Sequence, residues 1–428
     1  MLKTSYIAAQ QNMIGNVKRE SSAMLKISYI AALVLLLTLT LASTSSYVLF
    51  RILDLTGVPT GFKNVAALIL VLPFIGVIIL KRERSDLFSR LFSVMKLWIP
   101  WIIYLGISGA FSSVGIWKFE MYVVKIVVPC TLFGIMALAN PRIFEKYFMN
   151  TLLFLSIFIT MMVSVTNIRF DTEWKGVDDL IWLSRAFGIN ILYMVVTGGW
   201  KKRWAIAGPL LVAMFITMIV IGSRGPVISL IIALWIYYAL KLRKNVAAAI
   251  VSVIGAGILI FLFLNVGFLT QALQSFATHQ GEIKHQHFAA DRLSAYQPTL
   301  QIFSEHPVEG VGLGRWWSVY LPRYVDRGST AYISSAYKRM RGEMDYGYPH
   351  SIVLEIMSEL GLIGVVLFML LFLPYRRLFS LSNPYNILLL LGFLYALSSS
   401  DITQNSAPMI FNLFSVLKAK ELLSLPGA

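Results

Sequence analysis

Four side chains that could do chemistry stand out in this largely apolar sequence. Arg185 lies within an apolar run, Arg224 lies in the segment GSRGP, and Arg292 follows an aspartate. An arginine can hold a phosphate through two parallel hydrogen bonds, because its planar guanidinium matches two phosphate oxygens. His350 begins another apolar run, and a neutral imidazole can accept a proton from a hydroxyl near neutral pH. Phosphate binding and proton transfer are therefore within reach of these residue types, and Arg224, next to two glycines, is well placed to contact a phosphate.

Each position also has a purely structural explanation. Arg185 could extend its charge to the lipid headgroups, and Arg224 could sit in a tight turn with its charge toward lipid. Arg292 could be an ordinary loop charge, and His350 could merely cap a helix. An ionisable residue inside a membrane span is costly, so a functional role is the default expectation for Arg185.

Glycines accompany two of these positions. Gly222 and Gly225 lie on either side of Arg224, and an arginine next to two glycines is well placed to contact a phosphate through two hydrogen bonds. Gly312 and Gly314 belong to the segment GVGLG (310–314). We expect this segment to form a flexible turn that exposes its backbone.

Two carboxylates follow His350. Glu355 and Glu359 are four residues apart, about one and two turns beyond the histidine, and therefore share one helix face. Carboxylates within lipid must face a polar interior or pair with basic residues. We expect this face to line a cavity and support the site.

The composition is that of a membrane protein. Apolar residues make up 57% of the 428 residues and charged residues only 14%, against about 25% in ordinary globular chains. A span needs about 20 mostly apolar residues, and the sequence offers about twelve such runs. The predicted spans are 28–50, 64–80, 97–114, 121–139, 147–166, 180–198, 204–221, 225–240, 246–264, 351–373, 385–400 and 407–417. The last is short and carries Pro408 and Asn412.

The basic residues give these spans an orientation. With the N-terminus inside, the inner segments hold 21 Lys and Arg, the short outer segments hold 6, and a single long outer loop holds 8. Cytoplasmic segments carry such an excess, and long loops escape the rule. The net charge of +16 therefore indicates topology and contact with anionic lipid rather than nucleic-acid binding.

The predicted organisation follows from the spans and the orientation. We expect a cytoplasmic tail (1–26), nine transmembrane helices (27–264), a large periplasmic or extracellular loop (265–350), three more helices (351–417) and a cytoplasmic tail (418–428). The loop is rich in aromatic residues, which favours a packed subdomain over disorder. Residues 24–32 nearly repeat residues 1–9, so Met24 is a second possible start.

Other classes of chemistry find little support in the sequence. The single cysteine excludes a disulfide framework and a thiolate metal cluster, and there is no P-loop for ATP. His279, His285 and His287 with Glu282, and the pair Asp178–Asp179, are possible cation ligands. The spacing of the histidine set matches no established metal site, and the aspartate pair lacks a supporting acidic motif in the first loop apart from Asp54, so we expect neither metal nor cofactor.

Five motifs in order resemble the O-antigen ligase and O-antigen polymerase superfamily of bacterial envelope glycosyltransferases. They are Arg185 with Gly188 and Asn190, GSRGP (222–226), Asp291–Arg292, HPVEGVGLG (306–314) and HSxxLExxxELGxxG (350–364). Ser351 stands where the family often has asparagine. The resemblance implies an all-α polytopic, GT-C-like membrane protein of about 12 transmembrane helices in the bacterial inner membrane, with its active site facing the periplasm or exterior.

The resemblance also implies a reaction and roles for residues. The enzyme would be a metal-independent, inverting glycosyltransferase that moves a glycan from undecaprenyl diphosphate to an acceptor hydroxyl. Arg185, Arg224 and Arg292 would hold the donor diphosphate, and His350 would activate the acceptor. We favour a polymerase over a ligase that acts on lipid A core. A transporter or flippase for lipid-linked sugar is the alternative of another class, and it would spread polar residues through several mid-membrane helices.

Overall fold

The computed structural model describes residues 22–40, 63–82, 86–165, 177–198, 204–220, 224–241, 255, 288–325, 347–372, 380–398 and 402–419. Some of the predictions lie outside these residues. They are the N-terminal repeat before residue 22, nearly all of the ninth predicted span, and residues 265–287 and 326–346 of the long loop.

The chain is all-helical throughout the described residues, as predicted. The helices are α1 (Ser22–Leu39), α2 (Lys63–Leu80), α3 (Leu87–Met95), α4 (Trp98–Gly109), α5 (Ser113–Tyr122), α6 (Val128–Ala139), α7 (Pro141–Val165), α8 (Val177–Thr197), α9 (Trp204–Val220), α10 (Arg224–Lys241), α11 (Phe288–Glu305), α12 (Trp316–Tyr324), α13 (Ile352–Leu370), α14 (Pro384–Ser398) and α15 (Ser406–Ala419). A π-helical turn, Val123–Val127, joins α5 to α6.

Three helices in the described part of the chain are long and apolar enough to cross a membrane. They are α1, the continuous helix Ser113–Ala139, and α13. The pair α3 and α4, bent by 60°, would make a fourth span. Six further apolar helices are shorter, with 10–17 residues. Each predicted span of which more than one residue is described overlaps a helix, and the number twelve stays a prediction.

The last two helices form the centre of the structure. Residues 406–417 of α15 are all buried, and α14 also packs against α8 and α10. Two asparagines here bond to backbone carbonyls: Asn412 Nδ2 of α15 donates to Leu371 O at 3.1 Å, and Asn383 Nδ2, just before α14, donates to Ser415 O at 3.0 Å. A polar group in an apolar interior is stable when it is bonded in this way, which explains how Asn412 fits within a buried helix.

Helix α13 is broken at Gly361, where the backbone adopts φ 61° and ψ −161°. The carbonyls of Ser358 and Glu359 accept instead from Val311 N at 2.9 Å and Gly312 N at 2.8 Å. Beyond the break, Leu362 N donates to the Pro307 carbonyl at 2.8 Å and Ile363 N to the Val308 carbonyl at 3.1 Å. Tyr104 Oη donates to the Leu360 carbonyl at 2.9 Å. Non-helical backbone at membrane depth requires partners of this kind.

These hydrogen bonds fix the segment HPVEGVGLG (306–314), which we name the glycine turn. Gly310, Gly312 and Gly314 all have positive φ, between 72° and 97°. A Cβ on Gly310 would overlap the Glu359 backbone. The turn is therefore held against α13, in contrast to the flexible turn that its glycines suggested.

Helices α11 and α12 pack together just before and after the glycine turn. Trp316 is buried, and its indole N–H donates to Thr299 Oγ1 at 3.1 Å. On the exposed side, Arg323 of α12 forms an ion pair with Glu305 at the end of α11. The hydrogen bond from Arg323 lowers the pKa of the Glu305 carboxyl. The described part of the long loop thus has a small core of its own, which contacts α13.

Candidate functional site

His350 occupies an unusual backbone position at the start of α13. Its φ is 58°, and it is the one residue other than glycine with positive φ in the described part of the chain. Left-handed backbone is uncommon for a side chain with a Cβ, although histidine adopts it more often than most. The His350 ring is partly exposed and lies 4.6 Å from the Tyr348 ring, centre to centre. Strain of this sort tends to occur at functional positions.

Glu355 and Glu359 are both buried, and both contact the same lysine. Lys118 Nζ of α5 lies 2.6 Å from Glu359 Oε2 and also forms an ion pair with Glu355. All three side chains are at most 1% exposed. Of the two arrangements that the sequence allowed for these carboxylates, the structure therefore has pairing with a basic residue, and Lys118 occupies the space beside them.

Backbone amides complete the environment of the two carboxylates. Glu359 Oε2 accepts from Gly314 N at 2.9 Å and Glu359 Oε1 accepts from Trp316 N at 3.4 Å. Glu355 Oε2 accepts from Ile402 N at 2.8 Å. Donors of this kind stabilise a buried carboxylate. Each carboxylate thus holds a different segment: Glu359 holds the glycine turn, and Glu355 holds the segment 402–405 between α14 and α15.

Arg185 of α8 is buried between aromatic rings. Its guanidinium carbon lies 4.6 Å from the centre of the Trp182 ring and 5.5 Å from that of Tyr395. Its side chain donates to the Tyr395 carbonyl at 3.1 Å and to Asn405 Oδ1 at 3.5 Å. Rings and carbonyls of this sort can hold a cation away from bulk water. Arg185 is therefore held inside the protein, and the alternative of a charge extended to lipid headgroups does not describe it.

The segment 402–405 brings Arg185 and α13 together. Ile402 bonds to Glu355 of α13, and Asn405, three residues later, bonds to Arg185 of α8. Glu355 N in turn donates to the Ser351 carbonyl at 2.9 Å, next to His350. A candidate phosphate-binding arginine and a candidate base are thus joined through a few residues at one end of the helical bundle.

Gly188 makes room for the ring that covers Arg185. A Cβ at residue 188 would overlap the Tyr395 hydroxyl oxygen, and that hydroxyl donates to the Arg185 carbonyl at 3.4 Å. Asn190 is also buried, and its side chain donates to the Ala186 carbonyl at 2.9 Å. The sequence motif Arg185, Gly188 and Asn190 is thus one packed unit of α8.

We expect Gly188→Ala to push Tyr395 away from Arg185. Overpacking of this kind costs about 1–3 kcal/mol, and we expect a loss of stability in that range together with weaker donor binding. Thermal unfolding in detergent and the donor KM measure the two effects. Gly76→Ala in α2 is the matched control, because a Cβ there meets nothing within 4 Å. Equal behaviour of the two variants would contradict this role for Gly188.

The structure describes the backbone of Arg224, Gly225 and Arg292 but not that of Gly222. Arg224 is the first residue of α10, followed by Gly225, and Arg292 lies in the first turns of α11. The arginine side chains lie outside the described part, as does Gly222. Their convergence with Arg185 therefore stays a prediction. The possible cation ligands Asp178, Asp179, His279, Glu282, His285 and His287 likewise have no described side chains.

The part of the chain that contains the glycine turn and His350 is also similar to a known protein family. A family model described as O-Antigen ligase covers the chain from α9 to the end of α13. Residues 209–369 match the O-antigen ligase family. No curated protein matches the chain.

The O-antigen ligase match confirms the resemblance that the motifs suggested. It contains GSRGP, Asp291–Arg292, the glycine turn and the His350 motif, whereas Arg185 and Lys118 lie outside it. With the long apolar helices, the match makes this part of the chain similar to membrane enzymes of the O-antigen ligase type.

Sequence reasoning missed three residues that the structure places among the others. Lys118 was counted only as a charge of a short outer segment, and Asn405 and Tyr395 were not singled out. Lys118 lies 241 residues before its partner Glu359 in the sequence. Tyr395 and Asn405 lie 210 and 220 residues after their partner Arg185. One signal was present: two carboxylates on one apolar helix face require a cation, and Lys118 is one of few basic residues in the short outer segments.

Proposed function

We propose that the protein transfers a glycan from undecaprenyl diphosphate to an acceptor hydroxyl at the outer face of the inner membrane, and that it polymerises or ligates cell-surface polysaccharide. The observation that carries this proposal is that Glu355, five residues after His350 on α13, bonds to Ile402, while Asn405 of the same segment bonds to Arg185. These bonds link the helix that follows His350 to a cation at one end of the bundle. The family match supplies the substrate class.

The reaction needs one proton acceptor and one site for negative charge. His350 accepts the proton of the acceptor hydroxyl while the oxygen of that hydroxyl attacks the anomeric carbon of the donor sugar. The bond from that carbon to the diphosphate oxygen breaks, and the lipid diphosphate leaves with the electron pair. Attack opposite the leaving group inverts the anomeric centre.

Arginines supply the charge that the leaving diphosphate requires. Arg185 is buried among rings and carbonyls, where little water screens its charge. We assign Arg224 and Arg292 to the same diphosphate. With their positive charge at the phosphate oxygens, the departure needs no metal, so we propose a metal-independent enzyme.

The proposed orientation places this site outside. Lys118, the glycine turn and the segment 402–405 all belong to segments assigned to the outer side, and they meet at Glu355 and Glu359. At the opposite end, Lys418 of the C-terminal segment contacts Glu145 at 2.8 Å, and the charge pattern assigns both to the inside. In both cases the segments in contact are assigned to the same side of the membrane. This agreement supports an active site that faces the periplasm or exterior.

Reconstitution of the purified protein tests this function directly. We expect liposomes that contain the protein and one undecaprenyl-diphosphate repeat unit to produce a ladder of longer lipid-linked chains on a gel, with EDTA present. A ladder establishes a polymerase that needs no divalent metal. Product only after addition of lipid A core identifies a ligase. No product with either acceptor, with or without divalent metal, contradicts the proposal.

A further inference from the structure

Lys118 is a buried charge that neither the family match nor the proposed reaction uses. It lies on α5, fully shielded from solvent, and contacts both Glu355 and Glu359. A lysine is almost never fully buried unless it is paired. Its two partners lie on the first half of α13, between His350 and the break at Gly361.

The three charges hold three separate segments together. Glu359 receives the amides of Gly314 and Trp316 from the glycine turn and α12. Glu355 receives the amide of Ile402, and Asn405 of the same segment bonds to Arg185. Lys118 is the group that both carboxylates share. Without it, the two carboxylates would face each other with no cation between them, and one of them would take up a proton or move away.

We propose that Lys118 is a positioning residue for glycan transfer. By holding Glu355 and Glu359 side by side, it fixes the first half of α13 against the segment 402–405, and so fixes the distance between His350 and Arg185. This inference rests on the proposed function, because the distance matters only if His350 and Arg185 act on one substrate. A displacement of about 1 Å can lower turnover about 100-fold even when the chemical groups are intact.

The first test replaces Lys118 with methionine, which has a similar length and no charge. We expect kcat to fall about 10- to 100-fold, with the donor KM changed by less than about threefold, because His350 and the arginines are still present. If Lys118→Met does not fold, Lys118→Met/Glu355→Gln is the second variant. It restores the original net charge of the triad, and the side-chain carbonyl of the new glutamine can still accept from Ile402 N.

The matched control is Lys418→Met. Lys418 also pairs with a glutamate, at 2.8 Å from Glu145, but at the opposite end of the helices. We expect its kcat to equal that of the wild type. A similar loss of kcat in both lysine variants would overturn a specific role for Lys118.

A distance measurement separates this inference from the proposed function. Spin labels at Glu309, which is exposed on the glycine turn, and at Leu397, which is 43% exposed near the end of α14, report the separation of the two segments in a Cys130→Ser background. We expect the distance distribution to be broader or shifted in the Lys118 variants. In Lys418→Met we expect it to equal that of the wild type. An unchanged distribution overturns the inference even if the wild type transfers glycan. A changed distribution with normal kcat also overturns it. A wild type without any transfer activity contradicts the proposed function separately.

Discussion

Replacing His350 with asparagine is expected to lower glycan transfer about 10²- to 10⁴-fold while the fold is kept. Asparagine tolerates the left-handed backbone that residue 350 adopts, at φ 58°. Its amide cannot take a proton from a hydroxyl. The substitution therefore removes the base and leaves the backbone geometry in place. Initial rates with saturating donor and acceptor, and thermal unfolding in detergent, measure the two properties.

The pH dependence of the same variant tests the role more closely. In the wild type we expect the rate to fall in acid, because a protonated imidazole cannot accept the proton of the acceptor. The residual rate of His350→Asn is expected to lose this dependence. His306→Asn is the matched control: His306 is the first residue of the glycine turn and accepts from Gly310 N through its backbone carbonyl at 3.1 Å, a bond that asparagine keeps, so this variant is expected to retain the fall of the rate in acid. If His350→Asn retains a near-normal rate, the base is a different group.

The helices were predictable because their information is local. Long apolar runs and the scarcity of charge indicate helices in lipid, and the helical character of the described residues follows from them. The location of Asn412 was harder to interpret, because its partner, the Leu371 carbonyl, lies 41 residues away. An apolar helix with one polar residue is the same sequence whether that residue faces lipid or a carbonyl.

The site was predictable as a set of residue types but not as an arrangement. Arg185 and the carboxylates were singled out because charge is costly within lipid, and His350 because it begins an apolar run. Lys118 was not, because nothing in the sequence near residue 118 shows that it pairs with Glu355 and Glu359. The glycine turn illustrates the same limit. Its glycines indicated freedom of the backbone, whereas its hydrogen bonds to α13 depend on a break in that helix that the sequence does not reveal.

Gly361→Ala is expected to destabilise this end of the protein by about 2–6 kcal/mol. The backbone at residue 361, with φ 61° and ψ −161°, is open essentially only to glycine, and adopting it with a Cβ costs about 1–3 kcal/mol. The added Cβ would also overlap the Val308 carbonyl, which adds about 1–3 kcal/mol of overpacking. The total is a large share of the 5–15 kcal/mol, roughly, that stabilises a typical folded protein.

The structure indicates how Gly361→Ala would fail. The substituted α13 can avoid the strain by closing the break and forming a continuous helix, since Ser358, Glu359 and Leu362 would then bond within the helix. The glycine turn would lose its partners on α13, and its amides would exchange faster with solvent. We therefore expect faster hydrogen exchange at residues 307–314, a lower unfolding temperature and no glycan transfer. Gly76→Ala in α2 is the matched control, because a Cβ there meets nothing within 4 Å. Normal exchange and normal transfer in Gly361→Ala would show that α13 does not need its break, and the connection from the glycine turn to His350 would then have no part in the reaction.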